Sequence, residues 1–213
     1  NLWLTGRTNS SPFRYTTDAE QISGGNMYSA FIIKIDKNQN LKYSSLFASD
    51  NNVYGEGIAC DSNNNIYITG ITDSKALPNS TKGFQSKNAG AYDAFVAKFD
   101  NSGKNVWSSF IGGSVSDICS NVAIDDNNNI YLFGNTNSTN FPVKNSNQDK
   151  LKGSSDAFLA KISSDANLIW ATYHGGSGFE GYNNFESVEY QLAGISVKDS
   201  RIAVSASTRS NDF

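Results

Sequence analysis

One nine-residue phrase recurs at a fixed interval and constrains the fold of the whole chain. Its central copy runs from Tyr92 to Asp100, and related copies run from Tyr28 to Asp36 and from Ser155 to Ser163. The copies therefore recur at an interval of about 64 residues, and self-similarity at such a period is the sequence signature of a repeat architecture.

A second phrase keeps the same interval. Asn65 to Gly70 returns as Asn129 to Gly134 and stands one interval earlier as Asn1 to Gly6, and a weaker copy, Arg201 to Ala206, follows after a slightly longer interval. Each repeat contains four short strand signals separated by turns rich in Asn, Ser and Gly. No window shows a sustained helical period, so the chain is predicted to be all-β.

Four-stranded antiparallel units that repeat radially and pack face to face are the blades of a β-propeller. We interpret 1–213 as a single propeller segment with a partial blade (1–47), two whole blades (57–111 and 120–173) and a partial blade (190–213). Closed propellers have about 4 to 8 blades. About three and a third blades of this length therefore predict an open piece of a larger propeller, or a ring completed by another chain.

Strand polarity predicts which side chains are buried. Phe95 and Phe99 share one face of their strand, whereas Val96 and the stem of Lys98 share the other. Phe31, Phe95 and Phe158 should occupy equivalent buried sites. The two ends of the segment should present apolar blade faces or be covered by further protein. A closed ring built from this chain alone would contradict the blade count.

Composition excludes several classes of partner. The net charge is −3 and charged residues make up 17% of the chain, so no basic face indicates nucleic acid. No apolar run approaches the roughly 20 residues that span a bilayer. The two cysteines are expected to be free thiols, with Cys60 a small core residue.

Several of these phrases resemble the SBBP (seven-bladed β-propeller) repeat. They include Ser155 to Lys161, Trp170 to Gly178, Ile58 to Asp61, Asn65 to Gly70 and Asn137 to Pro142. The chain departs from the pattern at Ser29, at His174 and after Gly178. The resemblance implies a large secreted or surface-attached bacterial protein, frequently of Bacteroidetes and exported by type IX secretion, without defined catalytic residues.

Two turns carry oxygen-bearing side chains at alternate positions, as the start of a calcium loop does. The weak candidate ligands are Asp61, Asn63 and Asn65 in one turn and Asp125, Asn127 and Asn129 in the other. The alternative is a hairpin whose Asp side chain caps its own backbone. The bidentate Glu and the mid-loop Gly of a calcium loop are missing, so the expectation is no cofactor.

Other polar residues are interpreted as structural. His174 has no repeated nucleophile or acid around it, and we expect it to be partly buried by packing. Asp93 and Asp156 begin equivalent strands. Because catalytic sites are seldom copied into each blade, each Asp is expected to tie its strand to a neighbouring loop.

Loop length is asymmetric. The connections 8–28, 72–92 and 136–155, together with the link 175–193, fall on one face of the ring, where binding function is usual on a rigid scaffold. The link carries aromatic and acidic side chains that could stack a sugar or hold a protein, or could pack onto their own blade. These candidate binding residues are Phe179, Glu180, Tyr182, Phe185, Glu186, Glu189 and Tyr190.

The sequence therefore predicts a non-enzymatic, extracellular or cell-surface propeller that binds a protein or glycan through its long loops, or a structural domain of a larger secreted protein. A first alternative is a propeller hydrolase or lyase with a site in the central funnel. A second is a passive spacer or cargo domain, for which deleting 177–191 would leave every interaction intact. The fold alone does not choose among them.

Overall fold

The structure is a computed structural model that describes residues 1–20, 27–180, 194–199 and 201–212. These residues form thirteen strands and one 3-10 turn, Ser80–Lys82. The strands are β1 (Leu2–Thr8), β2 (Ser29–Ile35), β3 (Leu41–Phe47), β4 (Val53–Cys60), β5 (Ile66–Thr72), β6 (Asp93–Phe99), β7 (Asn105–Ile111), β8 (Asp117–Ile124), β9 (Ile130–Thr136), β10 (Asp156–Ile162), β11 (Leu168–His174), β12 (Gly194–Lys198) and β13 (Arg201–Ser205).

The strands assemble into four successive antiparallel sheets. Their orders are β1-β2-β3, β4-β5-β6-β7, β8-β9-β10-β11 and β12-β13. The inner strands β4 and β8 also contact each other across sheets, and β8 contacts β12. Meandering four-stranded sheets that meet along their first strands are blades of a β-propeller, so the predicted fold class is confirmed.

The outer strands end close to the predicted boundaries, at Phe47 and Ile111. The inner strands begin earlier than predicted, β4 at Val53 and β8 at Asp117. Each contains a β-bulge near its start, between Gly55 and Gly57 in β4. Because a bulge inserts one extra residue, it breaks the alternation by which a strand is recognised in a sequence.

Two apolar layers hold the blades together. Phe95, Ala97 and Phe99 of β6 pack with Phe47 of the first blade. On the opposite face of β6, Ala94 and Val96 belong to the layer shared with the third blade, as the alternation predicts. The same layer contains Trp107 of the second blade and, from the third blade, Leu132, Phe158, Ile162 and Tyr173.

The three repeated phenylalanines occupy equivalent places in their sheets. Phe31 pairs with Gly6, Phe95 with Gly70 and Phe158 with Gly134. Phe95 and Phe158 are fully buried. Phe31 is only half-buried, because it lies on the face of the first sheet that no described strand covers.

The outer face of the first sheet exposes apolar side chains, as the repeat register predicts. Leu2 and Leu4 of β1 are 56% and 37% exposed. Ile202 and Val204 of β13 are also 38% and 39% exposed. They stand where Ile66 and Ile68 face the preceding blade, however, so the register does not place them on the outer face of the last sheet.

Five tight turns of one design close the hairpins. Their fourth residue has a positive φ, at Gln39, Asn64, Gly103, Asn128 and Ala166. A type I turn followed by a left-handed residue is the usual three-residue hairpin loop. Asn and Gly occupy three of the five positions because they adopt that conformation most readily.

Candidate binding site on the long-loop face

The connections between strands differ sharply at the two ends of the blades. The turns 61–65, 100–104, 125–129 and 163–167 lie at one end, which we call the short-turn face. The connections 73–92 and 137–155 and the blade-to-blade links 112–116 and 48–52 lie at the other, the long-loop face. The predicted asymmetry of the loops is therefore present in the fold.

A repeated Thr-x-Ser motif anchors the long-loop face. In each copy the Thr hydroxyl accepts the N–H of the Ser two residues later, at 3.0 Å. Three of the Ser hydroxyls then accept an N–H from a blade-to-blade link. The motif recurs at the same interval as the blades, a signal in the sequence that our predictions missed. The copies are Thr8 and Ser10, Thr72 and Ser74, Thr136 and Ser138, and Thr208 and Ser210.

Asp93 and Asp156 have the structural role that the repeat predicts. Oδ2 of Asp93 accepts from the Gln85 side chain and from the Ala89 N–H, both at 2.9 Å. Oδ2 of Asp156 accepts from the Gln148 side chain at 2.6 Å and from the backbone of the same connection. Each carboxyl group thus ties the start of a strand to the long connection before it.

The predicted aromatic and acidic site lies mostly outside the described residues. This applies to Tyr182, Phe185, Glu186, Glu189 and Tyr190. Phe179 is half-buried, and Glu180 is 1% exposed. Glu180 accepts hydrogen bonds from the Gly176 N–H and from the hydroxyls of Thr208 and Ser210. Its carboxyl group therefore does not face a surface ligand, and the rest of that site stays a prediction.

The alternating oxygens of the two candidate calcium turns are used within the turns. Oδ1 of Asp61 accepts the N–H groups of Asn63 and Asn65, both at 2.9 Å, and Oδ2 accepts from the Asn65 amide and the Tyr67 hydroxyl. Burial alone would raise the pKa of Asp61, but these hydrogen bonds outweigh it and lower the pKa. The arrangement is that of a carboxylate capping its own hairpin.

The second candidate turn repeats this geometry. Asp125 accepts the N–H groups of Asn127 and Asn129, together with the Asn129 amide and the Tyr131 hydroxyl. The ammonium group of Lys161 lies 3.6 Å from Oδ2 of Asp125. Among the residues the structure describes, no group of three or more His, Cys, Asp or Glu side chains could hold a metal ion.

The hairpin role of Asp61 leads to a stability prediction. Asp61→Ala should lower the free energy of unfolding by about 1–2 kcal/mol, as expected for loss of a capping side chain. Asp61→Asn should cost less, because the amide oxygen still accepts both backbone N–H groups. Urea denaturation measures the difference. Both losses of stability should be the same with calcium and with a chelator. If calcium stabilised the wild type but not Asp61→Ala, the hairpin role would be contradicted.

Two residues lie in different environments from those predicted. Cys60 is exposed rather than buried, because it is the last residue of β4, where the chain enters a hairpin turn. Cys119 is the buried thiol, and burial raises its pKa to about 12. His174 is exposed at the end of β11, so the prediction of partial burial was wrong. Both cysteines are free, as predicted.

An exposed aromatic and cationic cluster lies where the first two blades meet on the long-loop face. The rings of Tyr28 and Tyr54 lie 5.4 Å apart between centroids, at an interplanar angle of 38°. The guanidinium carbon of Arg7 lies 5.3 Å from the Tyr54 centroid, within cation–π range. Tyr28 is 39% exposed and its neighbour Met27 is 44% exposed. We call Arg7, Met27, Tyr28 and Tyr54 the tyrosine cluster.

Acidic groups border the tyrosine cluster. Glu56 projects from the bulge of β4, and partial burial of its carboxyl group raises its pKa while the charge of Arg7 lowers it. Burial also raises the pKa of the Tyr54 hydroxyl, and the charges of Tyr92 and Asp73 raise it further. The cluster therefore combines flat apolar rings with a cation and carboxylates, which can stack a ring and hydrogen-bond to hydroxyl or amide groups.

The sequence contained a signal for this cluster in its departures from the repeat. Arg7 stands where later repeats have Ile71 and Asn135, since all three pair with the same strand position. Tyr54 stands where the next inner strand has Ile118. The repeat pattern therefore does not fix the side chains at these two positions.

Comparison with known proteins supports the repeat assignment. Residues 42–78 and 106–142 each match the family model SBBP, described as a β-propeller repeat. Each matched segment begins in an outer strand, crosses a blade-to-blade link and the first two strands of the next blade, and ends in the long connection that follows. The chain is a β-propeller repeat protein, and these two segments are similar to the SBBP repeat.

A curated relative has a compatible description. An uncharacterised WD repeat-containing protein of Acanthamoeba polyphaga mimivirus is 25% identical over 177 residues, which cover 76% of this chain and 13% of that protein. The chain therefore spans a small part of the length of this relative. In the described part of the chain, no helix combines the length and apolar character that crossing a membrane requires.

Proposed function

We propose that this chain is a non-enzymatic binding module of an extracellular or cell-surface protein, which recognises a protein or glycan partner through the long-loop face. The tyrosine cluster carries the proposal. Tyr and Arg are among the side chains most enriched at positions that dominate binding energy. Here Arg7 and Tyr28 are exposed beside the half-buried Tyr54, and their attachment to two packed blades reduces the entropy lost on binding.

The proposed partner chemistry follows from the same groups. The exposed Tyr28 ring offers a flat apolar surface, and Arg7 and Glu56 offer donors and acceptors beside it. A sugar ring or a peptide segment with an aromatic or acidic residue fits this combination. The recurrent carboxylates Asp93 and Asp156 are engaged in hydrogen bonds, which supports a binding role over a repeated catalytic one.

Binding can be measured on an array of defined oligosaccharides and a panel of purified extracellular proteins. Tyr54→Ala and Arg7→Ala should each weaken a specific interaction about tenfold or more, as truncation of a central contact does. Arg201→Ala is a matched control, because Arg201 is an exposed arginine beside the β12–β13 turn. Equal loss in all three variants, or binding unchanged by the first two, would contradict the proposal.

The same assay separates binding from catalysis. We expect the bound oligosaccharide or protein to be recovered intact. If the bound molecule were cleaved and Glu56→Gln abolished the cleavage, the chain would be a hydrolase or lyase rather than a binding module. The extracellular location rests on the resemblance to secreted SBBP proteins, and protease treatment of intact cells that make the native protein tests it.

A further inference from the structure

Two buried carboxyl groups meet at the junction between the second and third blades. Asp93 begins β6 and Asp117 begins β8, and both residues are fully buried. A Cβ atom placed on Gly112 would lie 2.6 Å from Cγ and 2.9 Å from Oδ1 of Asp93, and 2.8 Å from Oδ2 of Asp117. The two carboxyl groups therefore crowd one point, and a glycine is required between them.

The well-formed hydrogen bonds to each carboxyl group all reach its Oδ2 atom. Oδ2 of Asp93 accepts from Gln85 and Ala89. Oδ2 of Asp117 accepts from the Ser138 hydroxyl at 2.9 Å and from an N–H of the link 112–116 at 2.8 Å. The Oδ1 atoms of both residues are buried without a hydrogen-bond partner. A buried acceptor without a donor is costly, so these two atoms require an explanation.

The next junction has the same design but no unpartnered oxygen. Asp156 and Glu180 stand around Gly175, whose Cβ would lie 2.6 Å from Cγ of Asp156 and 2.6 Å from Oε2 of Glu180. Here Oδ1 of Asp156 accepts the Gly153 N–H at 3.2 Å, and both oxygens of Glu180 accept hydrogen bonds. Every carboxyl oxygen of this second pair therefore accepts a hydrogen bond, unlike those of Asp93 and Asp117.

The first junction lacks both acids. Ser29 and Val53 occupy the positions of Asp93 and Asp117, and Ala48 occupies that of Gly112. The glycine is thus present at the two junctions with paired acids and absent at the junction without them. Its role is to let two carboxyl groups approach each other.

No cation balances the charge of the pair among the described residues. The nearby ammonium group of Lys75 donates to the Gly90 carbonyl, at 3.4 Å, and that of Lys82 donates to the Val106 carbonyl. From β11, Tyr173 faces both Asp117 and Asp156, and burial first and then their charges raise its pKa. The link 112–116 contributes no titratable side chain. Two ionised carboxylates here would repel each other without compensation.

We propose that Asp93 and Asp117 share one proton at the crowded point beside Gly112, and that the junction of the second and third blades is weakened when this proton is lost. A single proton from solvent then removes one of the two buried negative charges. The remaining carboxylate keeps its hydrogen bonds from the neighbouring connection.

The electrostatics of the pair support this proposal. Burial raises the pKa of Asp93 to about 6, and the charge of Asp117 adds to the effect. Burial also raises the pKa of Asp117, opposed by the Thr136 and Ser138 hydroxyls and a link N–H. The pKa of Asp93 in the folded protein therefore lies above its unfolded value of about 3.9. The bound proton stabilises the fold fully below about pH 4, and this stabilisation is lost as the pH rises through about 6.

The surrounding groups favour a proton over a metal ion. The groups that contact the pair are N–H and O–H donors, from Gln85, Ala89, Gly113 and Ser138. Calcium takes about 6 to 8 oxygen ligands, and donors turned towards the carboxyl groups cannot serve as such ligands. A shared proton needs no ligand beyond the two carboxyl groups.

The test compares the pH dependence of unfolding in three forms of the full chain: wild type, Asp93→Asn and Asp156→Asn. The amide introduced by Asp93→Asn is neutral at all pH values and could donate to Asp117. Relative to Asp93→Asn, the wild-type unfolding equilibrium constant should rise about 100-fold between about pH 4 and about pH 7.5. Asp156→Asn, the matched control at the next junction, should retain the wild-type pH dependence in this range.

Two outcomes of this comparison would overturn the proposal. Parallel pH profiles for wild type and Asp93→Asn would show that no shared proton exists. Stabilisation of the wild type by calcium, absent in Asp93→Asn, would assign the pair to a cation instead. If Asp93→Asn does not fold, carbon-13 titration of the wild-type carboxyl groups decides the question, because titration of both Asp93 and Asp117 below about pH 5 would exclude a proton held between them.

Discussion

Replacing Gly70 with alanine is expected to be among the most destabilising single changes in this chain. A Cβ atom on Gly70 would lie 1.8 Å from the carbonyl oxygen of Tyr54 and 3.0 Å from the ring of Phe95. The oxygen belongs to the backbone of the neighbouring strand β4, just before its bulge, so relief requires the strands to separate. We expect the free energy of unfolding to fall by about 3 kcal/mol or more.

The repeat supplies matched controls for this substitution. Gly134 is in the same position, with the Ile118 carbonyl oxygen 1.9 Å from its Cβ site, and Gly134→Ala should be as costly. At Gly6 the atoms nearest the Cβ site belong to the Phe31 ring, at 2.7 Å, and this half-buried ring can move. Gly6→Ala should therefore cost about 1 kcal/mol or less.

Urea denaturation of the three variants measures the series. The buried Trp107 reports on the second and third blades, and the expected order of stability is Gly6→Ala above Gly70→Ala and Gly134→Ala. Equal effects at all three positions would show that the inner-strand carbonyl is not the cause. The close approach of that carbonyl would then no longer explain why each repeat has a glycine at this position.

Truncating Phe95 is the second change with a large expected effect. Phe95 is fully buried between the first two blades, and its ring lies 5.8 Å from that of Phe47. Phe95→Ala should lower the free energy of unfolding by about 3–5 kcal/mol, through loss of apolar burial and the cavity that remains. Phe158→Ala should be similar, since Phe158 is also fully buried and its ring lies 4.6 Å from that of Phe141.

Phe31→Ala is the control for these truncations. The side chain holds the same position in its blade but is half-buried, so less apolar area is lost to water. We expect a cost of about 1–2 kcal/mol, measured by the same denaturation curves. If Phe31→Ala matched Phe95→Ala, the assignment of the outer face of the first sheet as an uncovered blade face would be wrong.

Much of the scaffold was predictable because residues with the same structural role recur at the same place in each repeat. Phe95 and Phe158 recur with their paired glycines, and the burial of both confirms the strand polarity read from one copy. Asp93 recurs as Asp156, and both tie a strand to its preceding connection, as predicted.

Residues at strand ends were harder to predict. Cys60 and His174 were expected to be fully or partly buried, and both are exposed. At the last residue of a strand, exposure depends on how the next turn leaves the sheet, which no alternation pattern encodes. The start of β4 was missed for a related reason, because its bulge interrupts the period on which strand recognition depends.

The sequence by itself determined that this protein is an all-β repeat chain of four-stranded blades, because hydrophobic alternation and turn chemistry are local and recur at a constant interval. Only the tertiary structure decided which polar and aromatic side chains meet. The tyrosine cluster joins Arg7, Tyr28 and Tyr54 from three separate segments, and the acid pair joins Asp93 and Asp117 across two blades. Such encounters depend on how whole sheets pack against each other, and no local pattern of alternation or turn residues encodes that packing.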